Sequence, residues 1–481
     1  MAFRYRELAD ALIQEIESGG LQQGHRLPSI RAMSQQRGVS ITTVKRCYES
    51  LEAQGYLLSR AQSGFYVRDR QLTLLQPEFP VFDPSSRQID NLSIIAEIHQ
   101  SAINAHRVQL GTIQLAPSLL PVQALQRSLV RANRRAQGRA LAYSQAAGEP
   151  VLLQALQAHF QQDGITCALQ DLVVTNGCME ALSLAVDAVT RPGDTLALPS
   201  PCYSGQLQLL ASMGRRVSEI PSTSRGFDLD RLEQLMADQA VSACLVATSY
   251  QNPLGYCLDA ADKQRLAEMA LRYRCPVIED DVFGECGHTR QRPLPVKSWS
   301  RDGWVIWCGS VSKTLAPGYR IGWCSSGRFH PQVRLAMLAR GLSVNTPLQL
   351  ALADFMLSGE YRRHLNRLRL QLAAQVNSLC DSLRHHLDEH CRLAKPDGGY
   401  AVWVQLPEHC QGLQVYQAMK AQGINLVPGE VFSARNLYSN AVRLNAGNPW
   451  NAELERAVAT LAESVRTLAP DACSPAGSGR R

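Results

Sequence analysis

Trp304–Trp323 reads WVIWCGSVSKTLAPGYRIGW. The run Trp304–Trp307 is short, apolar and β-prone, which predicts a buried strand. It ends in a polar turn, Ser310-Val311-Ser312-Lys313, and Arg320 follows at a second apolar run, Ile321–Trp323. A lysine at the mouth of a buried strand, with hydroxyls and an arginine around it, suits the imine form of a carbonyl cofactor that also carries a phosphate. The lysine supplies the Schiff base; Ser310, Ser312 and Arg320 can meet the dianion. The spacing Ser310-x-x-Lys313 also occurs around penicillin-binding nucleophiles, but no Ser-Asp-Asn or Lys-Thr-Gly partner follows.

Outward from this stretch, helical patterns alternate with short apolar runs at Leu172–Thr175, Thr195–Leu198, Ala243–Ala247 and Pro276–Glu279. Such alternation predicts parallel βαβ units, a sheet covered on both faces and a ligand at the carboxyl ends of the strands. Each run is followed by candidate contacts. Asn176-Gly177-Cys178-Met179 opens a helix over Glu180–Val189, and a glycine at a helix start lets backbone N–H groups approach a phosphate. Pro199-x-Pro201-x-Tyr203, Gln251-Asn252-Pro253-Leu254-Gly255 and Asp280-Asp281 end the other three runs, and Leu350–Arg392 reads as a long helical region. An acid-free stretch, Ala102–Gly148, carries Arg127, Arg131, Arg134, Arg135 and Arg139. It reads first as a solvated helix face, with a second DNA-facing patch as the alternative.

The first seventy residues have a different grammar. Leu8, Leu12, Ile13 and Ile16 recur at helical spacing, predicting a helix over Tyr5–Ser18. Ser29 is placed to cap a short helix that Gly38 stops, and Ser40 to cap a third, with Val44, Cys47, Tyr48 and Leu51 inward. Two short helices joined by Arg37-Gly38-Val39-Ser40 make a helix-turn-helix; Tyr56–Ser59 and Phe65–Val67, joined across Ala61–Gly64, predict a hairpin wing. No acidic residue lies between Glu17 and Glu49, while Arg26, Arg31, Arg37, Lys45 and Arg46 do, a basic footprint for phosphate backbones. Asp69–Pro84, rich in proline, reads as a connector between independently folded units.

The 481 residues allow two or three domains, and 45% apolar with 19% charged content is that of a globular protein. No apolar run reaches the roughly 20 residues that span a bilayer, so no membrane partner is expected. Scattered cysteines without zinc spacing point to free thiols in a reducing cytoplasm. His386-x-x-x-His390 has metal-ligand spacing, yet a solvated helix face is the better reading, and no metal site is expected.

Residues 304–323 closely resemble the cofactor-lysine segment of fold-type I aminotransferases, S-x-S-K-x-x-x-P-G-x-R-x-G-W, through Ser310, Ser312, Lys313, Pro317, Gly318, Arg320, Gly322 and Trp323. That resemblance implies pyridoxal 5′-phosphate (PLP) on Lys313, with Gly177, Cys178, Met179, Ser310, Ser312 and Arg320 at the phosphate. It implies Tyr203 stacking on the pyridine ring, Asn252 bonding the ring 3′-oxygen and Asp280, or less readily Asp281, pairing with the ring nitrogen. Arg443 would take a substrate or effector carboxylate. Tyr143, with Gly148 after it, would reach the cofactor of the partner subunit, which implies a homodimer. Gly398-Gly399-Tyr400-x-x-Trp403 and Pro428-Gly429-x-x-Phe432 match further turns of the family. One departure is Val282-Phe283 where a tyrosine hydroxyl is usual.

Residues 3–68 resemble the GntR-type winged helix, through Gly24, Arg26, Leu27, Pro28, Ser29, Arg31, Gly38, Val39, Ser40, Thr43, Val44, Leu51, Gly55 and Gly64. By that resemblance Ser29, Arg31, Ser40, Thr42, Thr43 and Lys45 face double-stranded operator DNA, Arg26 and Arg46 lie in the same basic footprint, and Gly64 is at the wing tip. The combination resembles the MocR subgroup of GntR regulators. The implied architecture is multidomain: an α+β winged helix over 1–69, a linker over 70–105, an α/β aminotransferase-like domain with a mainly parallel sheet and large and small subdomains over 106–469, and a disordered tail over 470–481. The implied function is a cytoplasmic, homodimeric transcriptional regulator that senses an amine or amino-acid effector by aldimine exchange at Lys313. The alternative is an active aminotransferase carrying a DNA-binding module; a third reading is a cofactor-free shell used for dimerisation.

Overall fold

The computed structural model describes residues 4–60, 63–68, 75–90, 92–101, 108–289 and 291–468. The hairpin tip at 61–62, the linker positions 69–74 and the tail from Pro470 lie outside the described residues.

The N-terminal unit follows its caps. Helix α1 spans Arg4–Glu17, α2 Ile30–Arg37 and α3 Ile41–Ala53. Ser29 Oγ accepts from the Ala32 N–H at 3.2 Å and Ser40 Oγ from the Thr43 N–H at 3.1 Å, each satisfying a donor the helix start leaves open. Gly38 ends α2 in the left-handed region at φ 62°, a conformation that suits glycine. Val44, Cys47, Tyr48 and Leu51 of α3 are buried against Leu8 and Leu12 of α1. Strands β1 (Leu57–Arg60) and β2 (Gly64–Val67) pair antiparallel as the wing.

The larger unit is built on a nine-stranded sheet, ordered Ser86–Arg87 (β3), Arg216–Thr223, Thr195–Ser200, Ala243–Val246, Val277–Asp280, Val305–Ser310, Gly322–Ser325 and Leu172–Thr175, with Gly226–Phe227 beside Arg216–Thr223. The five strands from Arg216–Thr223 to Val305–Ser310 are mutually parallel, while Gly322–Ser325 runs antiparallel to both neighbours. A smaller four-stranded antiparallel sheet orders Arg392–Ala394, Ala401–Gln405, Ala441–Asn445 and Val427–Pro428. Among the described residues no helix is long and apolar enough to cross a membrane. The described cysteines are free thiols and, Cys257 apart, buried.

Two expectations change. The connector is not a free tether: β3 pairs with the edge of the large sheet, and helix α4 (Leu92–Ser101) buries Ile95 and Ile98 in the same core. Its signal, Ile94, Ile95 and Ile98 at helical spacing, sits just past the proline-rich part. The region 350–392 is two helices, Thr346–Leu357 and Glu360–His386, parted at Gly359, whose φ of 74° breaks the helical run. His390 therefore lies beyond the helix end, and His386 Nε2 is instead 2.9 Å from Glu455 Oε1. The acid-free arginine stretch lies on the helix Val122–Ala136 and the turn after it, with Arg127, Arg134, Arg135 and Arg139 exposed as a solvated face requires; Arg131 and Arg135 also bond Asp354, at 2.6 and 3.1 Å, and Arg139 bonds Glu149 at 2.6 Å.

The two units meet along α3 and helix Glu360–His386. The Asn377 amide donates to the Glu52 and Ala53 carbonyls, at 3.2 and 3.0 Å, at the C-terminal end of α3, where the Gly55 N–H also bonds the Glu52 carbonyl at 3.0 Å. Arg68, just past the wing, is buried and forms an ion pair with Asp381 at 2.7 Å.

Candidate functional site

The carboxyl ends of the parallel strands open into a cavity of about 790 Å³. Its wall includes Cys178, Met179, Tyr203, Asn252, Asp280, Ser310, Ser312, Lys313, Arg320 and Arg443. Residues drawn from strand ends far apart in the chain are thus gathered into one space.

Val305–Ser310 delivers the lysine. Ser310 Oγ accepts from the Ser312 N–H at 3.1 Å, which tightens the turn and turns Lys313 into the cavity. Lys313 Nζ donates to the Ile113 carbonyl at 2.7 Å and stands 5.9 Å from the Phe283 ring centre. Surrounding protein, and then the nearby Arg443 charge, lower its pKa to about 8. An amine with that pKa has a usable neutral fraction at neutral pH, which a nucleophilic lysine needs.

The other strand ends supply the floor. Asp280 is buried; its carboxylate accepts from Gln206 Nε2 at 2.9 Å, Cys178 Sγ at 3.4 Å and the Val282 N–H at 3.2 Å. Burial raises its pKa, and the donors from Gln206, Val282 and Cys178 work against that rise. Asp281 faces elsewhere: it accepts from Trp307 Nε1 at 2.7 Å and pairs with Arg292. Of the two aspartates, only Asp280 is on the cavity wall. Asn252 Oδ1 accepts from Arg443 Nη1 at 3.2 Å, which leaves its NH2 group as the remaining donor.

Gly177 caps the helix Cys178–Val189 at φ 86°, ψ 173°, a region essentially restricted to glycine. A Cβ there would lie 2.4 Å from Arg320 Nη2. Gly322 is as tightly held: its Cβ would meet the Gly177 carbonyl carbon at 2.6 Å and the Cys178 nitrogen at 2.9 Å. These absences of side chain bring Arg320 over a helix N-terminus whose first N–H groups have no intrahelical partner. Arg320 itself bonds the Asn176 carbonyl at 3.0 Å. Ser312 Oγ is buried there without a partner among the described residues. Hydroxyl, guanidinium and open N–H groups are the donor set for a phosphate dianion.

Arg443 comes from the small sheet. It is buried, its Nη2 donates to the Gly111 carbonyl, its Nε has no partner among the described residues, and its pKa is lowered to about 10 by burial. A buried guanidinium without a carboxylate is costly unless an anion joins it. Tyr143 is not brought to this cavity; it is 85% exposed on the surface. Of the residues placed toward DNA, Arg26, Ser29, Arg31, Thr42, Lys45 and Arg46 are exposed, Thr43 is half-buried and Gly64 begins β2.

Residues 113–461 match the family of class I and II aminotransferases, and residues 4–67 match the gntR family of bacterial regulatory proteins. The HTH-type transcriptional regulator YdcR of Escherichia coli is 34% identical over 466 residues, 96% of this chain and 99% of that protein. The chain is an HTH-type transcriptional regulator that joins a gntR-family domain to a class I and II aminotransferase domain. Its cofactor is pyridoxal 5′-phosphate, and the donor set around Ser312 and Gly177 fits that group. The probable rhizopine catabolism regulatory protein MocR of Rhizobium meliloti is 28% identical, over 88% of this chain and 86% of its own length. A multiple substrate aminotransferase from Thermococcus profundus superposes with a TM-score of 0.73 at 24% identity, covering 78% of this chain and 95% of its own, a likeness of fold.

Sequence reasoning missed several neighbours of the regulator's cavity. Gln206 carries no motif; only its place one turn into helix Ser204–Ser212, after Tyr203, could have suggested it. The Gly111 and Ile113 carbonyls are backbone groups and leave no sequence signal. Ile98 of α4 lines the wall although it belongs to the supposed linker.

Proposed function

We propose that this regulator is a cytoplasmic homodimer that binds operator DNA through α3 and the wing and senses an amine or amino acid through PLP held on Lys313. The observation that carries this reading is Arg443: a buried guanidinium with no carboxylate of its own among the described residues, sharing one cavity with Lys313 and Asp280. Ser310, Ser312, Arg320 and the N–H groups of Cys178 and Met179 would hold the phosphate, Asp280 the ring nitrogen, Asn252 the 3′-oxygen, and Tyr203 the ring face. Tyr143 would act on the site of the partner subunit. PLP supplies an electrophilic carbon that an incoming amine can take over from the lysine. Lys313 would hold the cofactor, and Arg443 would orient an incoming amino acid by its carboxylate. Ser29, Arg31, Ser40, Thr42, Thr43, Lys45 and Gly64, with Arg26 and Arg46, form the DNA-facing set.

A transaminase reading is favoured by the lowered pKa of Lys313, which suits proton transfer. Against it, Phe283 lines the cavity without a hydroxyl. The visible absorption of the PLP-loaded protein under amino-acid titration separates the two. A sensor shows a band that shifts and returns on dialysis. A band lost steadily to the pyridoxamine form, and restored by a keto acid, would make the chain an enzyme.

A further inference from the structure

The first turn of α3 carries a side chain that the proposed DNA-facing set leaves out. Ile41 opens the helix and is 53% exposed. Among the described residues of the winged helix, no other large apolar side chain is exposed. Ile41 continues the helical spacing of Val44, Tyr48 and Leu51, which are buried in the core. It lies beyond that core, at the end of α3 that a helix-turn-helix sends into the major groove.

The polar groups beside it are engaged locally. Ser40 Oγ accepts from the Thr43 N–H at 3.1 Å and lies 2.8 Å from Thr43 Oγ1, so the cap ties the two hydroxyls together. Arg37, the last residue of α2, pairs with Glu15 at 2.7 Å. Thr42, Lys45 and Arg46 are exposed along α3, and the two cations suit phosphates. Of the groups that bases present in the major groove, the thymine 5-methyl is the apolar one. Against any other base edge, the isoleucine would cover donors or acceptors and return no hydrogen bond.

We infer that Ile41 is a specificity-determining residue that packs on the 5-methyl group of a thymine in the operator. The inference rests on the proposed docking of α3 in DNA and names what its first turn reads.

The test uses the full-length, PLP-loaded protein and a fluorescent duplex selected from a random pool. Each thymine is replaced singly by deoxyuridine, which keeps the base pair and removes only the methyl. Fluorescence anisotropy gives the affinity ratio within one protein, so a variant's overall loss of affinity does not enter. At one thymine or more, the replacement should weaken binding by the parent about three-fold or more, the worth of one buried methyl-sized group. Ile41→Val and Thr42→Ala should keep that sensitivity, and Ile41→Ala should lose it. If no replacement weakens the parent, or if Ile41→Ala stays as sensitive, the inference is overturned while DNA binding stands. If the pool yields no preferred sequence, the operator reading falls and the inference with it.

Discussion

Gly177→Ala tests the phosphate cradle. The substitution forces an alanine into φ 86°, ψ 173°, at a cost of about 1–3 kcal/mol. Its Cβ would stand 2.4 Å from Arg320 Nη2 and 2.9 Å from Cζ, so the guanidinium must move. Losing one charge-assisted hydrogen bond to a phosphate is worth about 1.5–3 kcal/mol. Arg320 is solvent-exposed, which favours the lower end of that range. PLP should therefore bind roughly 10-fold more weakly, since about 1.4 kcal/mol is a factor of ten. Equilibrium dialysis with absorbance at the cofactor band measures the affinity, and thermal unfolding without PLP measures the backbone strain separately. The reasoning is refuted if the variant unfolds earlier yet binds PLP within two-fold of the parent, for then Gly177 holds the backbone and not the cofactor.

Other outcomes follow from the same geometry. With the Lys313 pKa near 8, about a tenth of the amine is neutral at pH 7, so the PLP loading rate should climb about ten-fold per pH unit from 6 to 7.5 and level above 8; stopped-flow absorbance still rising at pH 10 would deny the shift. Asp381→Ala strands the buried Arg68 charge and should destabilise the contact between winged helix and helix Glu360–His386 by about 3 kcal/mol. Limited proteolysis should then release the first 68 residues faster, and an unchanged rate would show that the ion pair does not hold the units together. Lys45→Ala, at an exposed position on α3, should lower the slope of log affinity against log salt by about 1 on any DNA sequence. A loss confined to one base position would mean a base reader instead.

How far the chain could be read follows the kind of signal each feature leaves. Caps and helix stops are local, so Ser29, Ser40 and Gly38 stand where their side chains and φ requirements placed them. Strand ends were legible because apolar runs stop where the chain turns out of the sheet, which is where Asp280, Asn252 and Ser310 lie. Helix Cys178–Val189 begins two residues before the expected Glu180 because Gly177, not a polar cap, starts it. The connector was misjudged because three prolines and polar residues outweigh a two-residue strand and a ten-residue helix whose purpose is burial in a distant core. Gln206 on Asp280, and Asn377 on the end of α3, are contacts between segments far apart in the chain, and one glutamine or asparagine looks like any other in sequence.

The account rests on a link between the Lys313 cavity and DNA binding, and fluorescence anisotropy measures that link directly. PLP-loaded and PLP-free protein are titrated onto a DNA fragment selected from a random pool, with and without a saturating amino acid that shifts the band. The account predicts that the amino acid changes the apparent Kd of the loaded protein at least five-fold, the range of a 1–3 kcal/mol coupling, and leaves the PLP-free protein unchanged. An apparent Kd that stays within two-fold under a fully shifted band would contradict it.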